Sequence, residues 1–314
     1  MTAEAGPRAS QSPSERLGHS TLADWGGKST ALLEPLADVI GPHVLAGRAI
    51  FADDTPVRML TPGAGKTATV RLWAYRRDER PWGGDAPPAS WYRFSADRKG
   101  QHPKDHLIGY CSWMHADGCA GFNDLYRFGG IPEVACMAHV RRKFVDVRRA
   151  QGSAIADEAI RRVAQLYAVE KEARRSPAGH RVEIRQAKAK PIFDALEVWL
   201  HTRLPNISGK SPLPAAIRYA LSRTAQMRPY LDHGILELEN NTAKRAMRSV
   251  AIGRKNYLFV GSLTGGRAAA IVCTLIETAK LNGVDPQAWL ADTLARIPDH
   301  KITRMDDLLP WNAQ

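Results

Sequence analysis

The stretch Ala49-Ile50-Phe51-Ala52-Asp53-Asp54-Thr55-Pro56-Val57 decides how the chain is read. It follows a helical pattern and changes the period: a short apolar run, strand-like in composition, delivers two adjacent carboxylates. Downstream, Thr69-Val70-Arg71-Leu72-Trp73-Ala74-Tyr75 alternates and Trp91-Tyr92-Arg93-Phe94 follows a Gly/Pro-rich stretch at 81–88, so two more strands are predicted. Ser112–Ala116 is a further apolar run, ending at Asp117-Gly118, and Glu133–Ala138 is a short strand running into His139. Upstream, Leu32, Leu33, Leu36 and Ile40 form one helical stripe, with Ser20 as a candidate N-cap and Gly41-Pro42 as the expected stop. From His139 to about 231 the pattern is helical: two helices broken near Ser176-Pro177-Ala178-Gly179, a loop at 205–214 and a third helix from Ala215 to Met227. Asn240–Arg248 starts another helix, Ala268–Leu281 is a strong one, and Asp285-Pro286 opens a last one by an N-cap followed by Pro. Strands are thus predicted mainly in the first half of the chain and helices elsewhere.

The chain has 314 residues, with 44 Lys and Arg against 32 Asp and Glu, a net charge of +12. No apolar run approaches the ~18 residues that a membrane span needs, and no apolar segment near residue 1 suggests a signal peptide. Cys111, Cys119, Cys136 and Cys273 are too sparse for a disulfide framework, which favours the cytoplasm. The basic excess is localised: residues 141–190 hold 14 basic and 6 acidic residues, and Lys244, Arg245, Arg248, Arg254, Lys255 and Arg267 follow with no acid between 244 and 268. Clustering of this kind points to a polyanion, nucleic acid first, with Arg141, Arg142, Lys143, Arg245, Arg248, Arg254 and Lys255 as candidate phosphate contacts.

Asp53 and Asp117 both end apolar runs, where carboxylates can share divalent cations, although Asp also serves there simply as a turn residue or cap. Alternation along a strand allows only one of Asp53 and Asp54 to face such a site. Pro62-Gly63-Ala64-Gly65-Lys66-Thr67 is not a phosphate-binding loop: Leu60 stands where that motif has its first Gly, and a strand follows rather than a helix, so a hairpin turn is the reading. Cys136 and His139 form C-x-x-H, half of a structural zinc set that needs four ligands, and a buried Cys and a His at a strand–helix junction is the favoured account. Trp73, Tyr257 and Phe259 could stack on bases, but strand aromatics are more often core.

These residues assemble into a pattern. Ser20–Trp25, Ala52–Val57, Gly65-Lys66-Thr67, Arg71–Tyr75, His115–Gly118, Cys136–Phe144, Glu239–Ala246 and Gly253–Phe259 occur in the order found in transposases of the insertion-sequence-66 type, a branch of the DDE transposases, which the chain resembles over roughly 16–312. The resemblance implies an α/β fold, an RNase H-like mixed sheet flanked by helices, with an all-helical insertion before the helix of the third acid. It implies a tail and helical remnant over 1–42, a core in two parts (43–144 and 232–282), an insertion over 145–231, and a C-terminal helix and tail over 283–314. It further implies two Mg²⁺ or Mn²⁺ held by Asp53, Asp117 and a glutamate, cleavage of element ends and strand transfer into target DNA, DNA and further copies of the chain as partners, and neither a membrane nor a small-molecule cofactor.

The third acid is where the sequence departs. The family pattern is Asp-Asn-Asn-x-x-Glu-Arg, and here Glu239 replaces its Asp while Lys244 stands at its Glu. An ammonium has no lone pair to give a metal, so metal-dependent chemistry is expected to be weak or absent. Glu237, Glu239 and Glu277 are the acids to consider as substitutes, and helical geometry turns Glu239 about 140° away from Lys244. Family members usually carry a zinc-binding and helix-turn-helix region, and the roughly 40 residues before the first strand leave no room for both, so an N-terminally truncated copy is expected. Two alternatives accompany this reading: a catalytically dead DNA-binding remnant that modulates intact transposases, and a zinc-containing structural module.

Overall fold

A computed structural model of the chain describes residues 19–313, apart from 62, 64, 129, 208–210 and 254–259. Its centre is a five-stranded mixed sheet in the order β3-β2-β1-β4-β5, formed by β1 (Ala49–Thr61), β2 (Lys66–Arg77), β3 (Ala89–Ser95), β4 (Trp113–His115) and β5 (Glu133–Val134). β1, β2 and β3 pair antiparallel, while β4 pairs parallel to β1 and β5 parallel to β4. Thr61 pairs with Lys66, and Gly63 and Gly65 take positive φ between them, so the Gly-rich stretch is the β1–β2 hairpin turn.

The helices are α1 (His19–Leu45), α2 (Gln101–His106), α3 (Asn123–Phe128), α4 (Met137–Gln151), α5 (Ala154–Ala173), α6 (Ala178–Ile184), α7 (Lys190–Arg203), α8 (Leu213–Ser222), α9 (Thr224–Met227), α10 (Pro229–Asp232), α11 (Asn241–Gly253), α12 (Leu263–Leu281) and α13 (Pro286–Arg296). Strand alternation sorts the core. Ile50, Ala52, Trp73 and Tyr75 pack against α1, α12 and α13 on one face. Val57, Leu72, Ala74 and Tyr92 pack against Ala246, Met247 and Val250 of α11 on the other. Helices α4 to α10 build their own core around Phe144, Val163, Leu166, Phe193 and Ile217 and meet the sheet at Ala49 and Val134. The fold is therefore the expected RNase H-like one with a helical insertion. On the β3 side, Thr274 and Thr278 of α12 accept the backbone N–H groups of Tyr92 and Ser90, which covers the sheet edge.

Several sequence expectations are corrected. Helix α1 begins at His19, so Ser20 is already helical, and it runs through Gly41-Pro42 to Leu45. Ile40 and Val44 are both fully buried, and that burial outweighs the Pro penalty; Gly41 is needed because a Cβ there would lie 2.9 Å from the Trp91 ring. Strand β1 continues well past Asp53, which therefore sits within the strand and not at its end. The run 133–138 is only a two-residue strand, because Cys136 caps α4. Past Pro177, α6 continues through a π turn at Arg185–Ala189 into α7, and the third insertion helix breaks at Arg223 into α8 and α9. Trp73 is core, its Nε1 donating to Ser95, while Tyr257 and Phe259 lie outside the described residues.

His106 lies buried, 3.0 Å from the Tyr75 hydroxyl, and burial pushes its pKa down to about 3. In the unfolded chain it titrates near 6.5. Between those values the unfolded state binds the proton and the folded state does not, so stability present at neutral pH is lost as pH falls below ~6.5. His106→Gln should flatten the slope of melting temperature against pH between about 6.5 and 4; an unchanged slope would refute it.

Candidate functional site

Alternation along β1 puts Asp53 and Asp54 on opposite faces. Asp53 pairs across the ladder with Ala74, on the face that α11 covers, whereas Asp54 pairs with Trp73 on the α1 face. There Asp54 is held by Arg71 at 3.0 Å and Arg98 at 2.9 Å, with the Cys119 thiol donating at 3.3 Å. Its charge is spent locally, and Asp53 is the acid left to face a site.

Asp117 arrives from the end of β4, beside β1. Burial, and next the Asp117 carboxylate, push the Asp53 pKa up to about 7. Helix α4 contributes His139 from its first turn: Nε2 lies 3.4 Å from the Asp117 carboxylate and Nδ1 lies 3.4 Å from the Lys244 ammonium on α11. Burial, then the Lys244 charge, lower the His139 pKa. Three of these side chains are linked in a row, Asp117 to His139 to Lys244, and the Lys244 charge is also felt at Asp53. Asn240, fully buried just before α11, docks that helix on the sheet by donating Nδ2 to the Ala52 carbonyl at 2.8 Å; its own N–H donates to Cys136 Sγ. His115 stacks on Phe51 with ring centres 4.5 Å apart and accepts the Glu237 N–H.

The other acids near α11 are engaged elsewhere. Glu237 takes Arg181 at 2.6 Å, Glu239 accepts from Asn241 Nδ2, and Glu277 on α12 lies 3.6 Å from Arg76 and 3.3 Å from Lys280. Cys136 is buried and accepts the Asn240 N–H, while His139 is turned to Asp117 and Lys244; among the described residues no group of three His, Cys, Asp or Glu is placed to hold a metal.

Arg141, Arg142 and Lys143 are exposed on α4, as are Arg245 and Arg248 on α11; Arg254 and Lys255 lie outside the described residues. Arg141, Arg142 and Arg149 line a groove of about 530 Å³ that ends at Asn241 and Lys244. The localisation read from charge is corrected in part, because Arg181 and Arg185 are buried and paired with Glu170 and Glu237.

A profile described as "Transposase IS66 family" matches residues 11–268, and one described as "IS66 C-terminal element" matches 274–311. The chain belongs to the IS66 transposase family. Similar proteins in Sinorhizobium fredii are the "Uncharacterized protein y4hP", 41% identical over 94% of this chain and 56% of its own length, and "Uncharacterized protein y4qI", 40% identical over 93% and 56%. A third, "Uncharacterized protein y4jD", is 37% identical over 94% of this chain and 60% of its own length. The chain thus spans little more than half the length of the curated relatives it matches. No helix among the described residues is long and apolar enough to cross a membrane.

Membership in a DDE family suggests divalent metal ions, and the residues can be tested for them. Asp53 and Asp117 are hard oxygen donors whose mutual repulsion a cation would relieve. Lys244 instead brings an ammonium to the third position and has no lone pair to offer. Two unit charges ~4 Å apart repel by about 4 kcal/mol at an effective dielectric of 20, and a divalent ion feels twice that. The set does not fit a two-metal site.

Proposed function

We propose that this IS66-family chain acts on DNA through the transposase fold, binding element ends and target DNA in the cytoplasm as an oligomer, and that its metal-dependent cleavage and strand transfer are impaired by Lys244. Asp53 and Asp117 occupy the places of the first two acids, and Arg141, Arg142, Lys143, Arg245, Arg248, Arg254 and Lys255 serve as phosphate contacts. The observation that carries the impairment is the Lys244 ammonium 3.4 Å from His139 Nδ1, joined through that ring to Asp117 and acting on Asp53. Incubation with Mn²⁺ and a supercoiled plasmid bearing the gene and its flanking DNA tests it. The expected result is no nicking above background by the natural chain and measurable Mn²⁺-dependent nicking by Lys244→Glu. Robust nicking by the natural chain would sink the impairment.

The basic groove along α4 favours a second reading, a DNA-binding remnant that modulates intact transposases by occupying their ends. That reading requires salt-dependent DNA binding by this chain and lower cleavage by a longer relative when it is added.

A further inference from the structure

A second basic cavity, away from the Asp53–Asp117 pair, lies where the helical insertion meets the core. It encloses about 180 Å³, room for a phosphate group, between the turn after α5, the segment after β2 and the start of α11. Four arginines line it: Arg80, Arg174, Arg175 and Arg245. Its carboxylates are already engaged. Asp78 is gripped twice by Arg80, Glu237 is taken by Arg181, and Glu239 accepts from Asn241 and bonds the Tyr167 hydroxyl. Among the described residues, Arg174, Arg175 and Arg245 have no carboxylate partner, and Arg245 reaches only the Thr242 hydroxyl at 3.0 Å.

Arg175 carries a second sign of function. Its φ is +67°, the positive-φ non-Gly residue of the described chain, and its N–H donates to the Pro81 carbonyl at 3.0 Å. Glycine would hold that turn without strain; arginine holds it at a cost in stability and sets a guanidinium at the cavity. Asn241 lines this cavity, a neighbouring one of about 420 Å³ beside Arg141 and Tyr167, and the α4 groove that ends at Lys244. The three meet at Asn241, at the start of α11.

We propose that Arg174, Arg175 and Arg245 make this cavity a second phosphate-binding site, seating a backbone phosphodiester of a DNA strand that continues past Asn241 into the α4 groove, while Arg80 stays engaged with Asp78 and the Leu281 carbonyl. The inference rests on the DNA-binding reading above. Guanidinium groups suit it, since their fixed fork of donors matches phosphate oxygens.

Fluorescence anisotropy of a labelled duplex, titrated at several salt concentrations, tests it on the full chain. Arg175→Gly should melt at the same or a higher temperature yet bind DNA roughly tenfold more weakly, the loss of one charge-assisted contact. The slope of log affinity against log salt should fall by about 0.9 for each phosphate released. Arg174→Gln, at a residue with ordinary backbone angles, should give the same binding defect. Arg141→Gln with Arg142→Gln serves as the reference in the α4 groove. If those groove variants weaken binding while Arg175→Gly and Arg174→Gln leave affinity and slope unchanged, the second site is wrong and the DNA reading stands. If the natural chain binds no DNA, the DNA reading fails and takes this site with it. A thermal shift with inorganic phosphate alone, abolished by Arg175→Gly while DNA affinity is untouched, would assign the cavity to a free phosphate and overturn the proposal.

Discussion

Lys244→Glu should turn a protein whose melting temperature ignores Mn²⁺ into one whose melting temperature depends on it. In the natural chain the Lys244 ammonium is joined to Asp117 through His139 and its charge acts on Asp53, so the folded site needs no added cation. The glutamate variant removes that positive charge and adds a third carboxylate beside a pair whose repulsion already helps to raise Asp53 to about 7. Without metal it should melt lower than the natural chain. With Mn²⁺ at about 100 times its dissociation constant, binding to the folded state alone contributes ~2.7 kcal/mol, which raises the melting temperature by several degrees. The natural chain at the same concentration should shift by less than a degree. Lys244→Gln separates the two effects: it removes the charge without supplying a strong ligand, so its response should fall well short of the glutamate variant's. An equal Mn²⁺ shift in the natural chain would show that Lys244 does not bar the ion. This thermal readout is independent of cleavage, so it separates a site that cannot bind metal from one that binds it but lacks a DNA partner.

The sheet was legible because its strands carry their own pattern: the alternation of Thr69–Tyr75 follows directly from one face packing on α1 and the other on α11. The full length of β1 was not. Asp53, Asp54 and Pro56 interrupt the apolar period, and a Pro argues against a central strand. β4, however, pairs with β1 only at Ala49–Phe51; farther along, Met59 forms an isolated parallel bridge to Val260, and antiparallel pairing with β2 carries the strand to Thr61. Alternation also foretold that Asp53 and Asp54 part ways. It could not show that Arg71 and Arg98 consume Asp54, since that depends on which side chains the sheet and its neighbouring loop bring across. The His139–Lys244 contact is likewise invisible in the sequence: 105 positions separate the two residues, and only the docking of α11 through Asn240 brings them together. Net charge was least informative about depth. Arg181 and Arg185 count as basic surface in any tally, yet both are buried within the insertion.

That burial sets up the largest stability effect expected in the chain. Arg185 begins the π turn between α6 and α7, a register change that points it inward. Its Nε and Nη2 grip both oxygens of Glu170 at 2.7 Å, Nη1 donates to the Tyr230 carbonyl at 2.8 Å, and Nη2 donates to the Leu236 carbonyl at 2.9 Å. The guanidinium also lies over the Tyr230 ring, 5.1 Å from its centre. Arg185→Met preserves much of the volume but strands Glu170, which keeps only Arg181 at 3.6 Å, and leaves two buried carbonyls without this donor. Breaking a buried pair from one side typically costs ~3–5 kcal/mol, so the denaturation midpoint should fall markedly. Arg185→Met combined with Glu170→Met should cost less than the single change, because the stranded charge is gone. The damage should also travel. Leu236 belongs to the segment that leads through Glu237 to Asn240, so loss of the Arg185 donor loosens the support that holds α11 against Ala52. Amide exchange at the start of α11 should therefore accelerate in Arg185→Met beyond what its lower global stability explains. A single variant that costs under ~1 kcal/mol, or a double variant worse than the single, would show that the network is not held together by the Arg185–Glu170 pair.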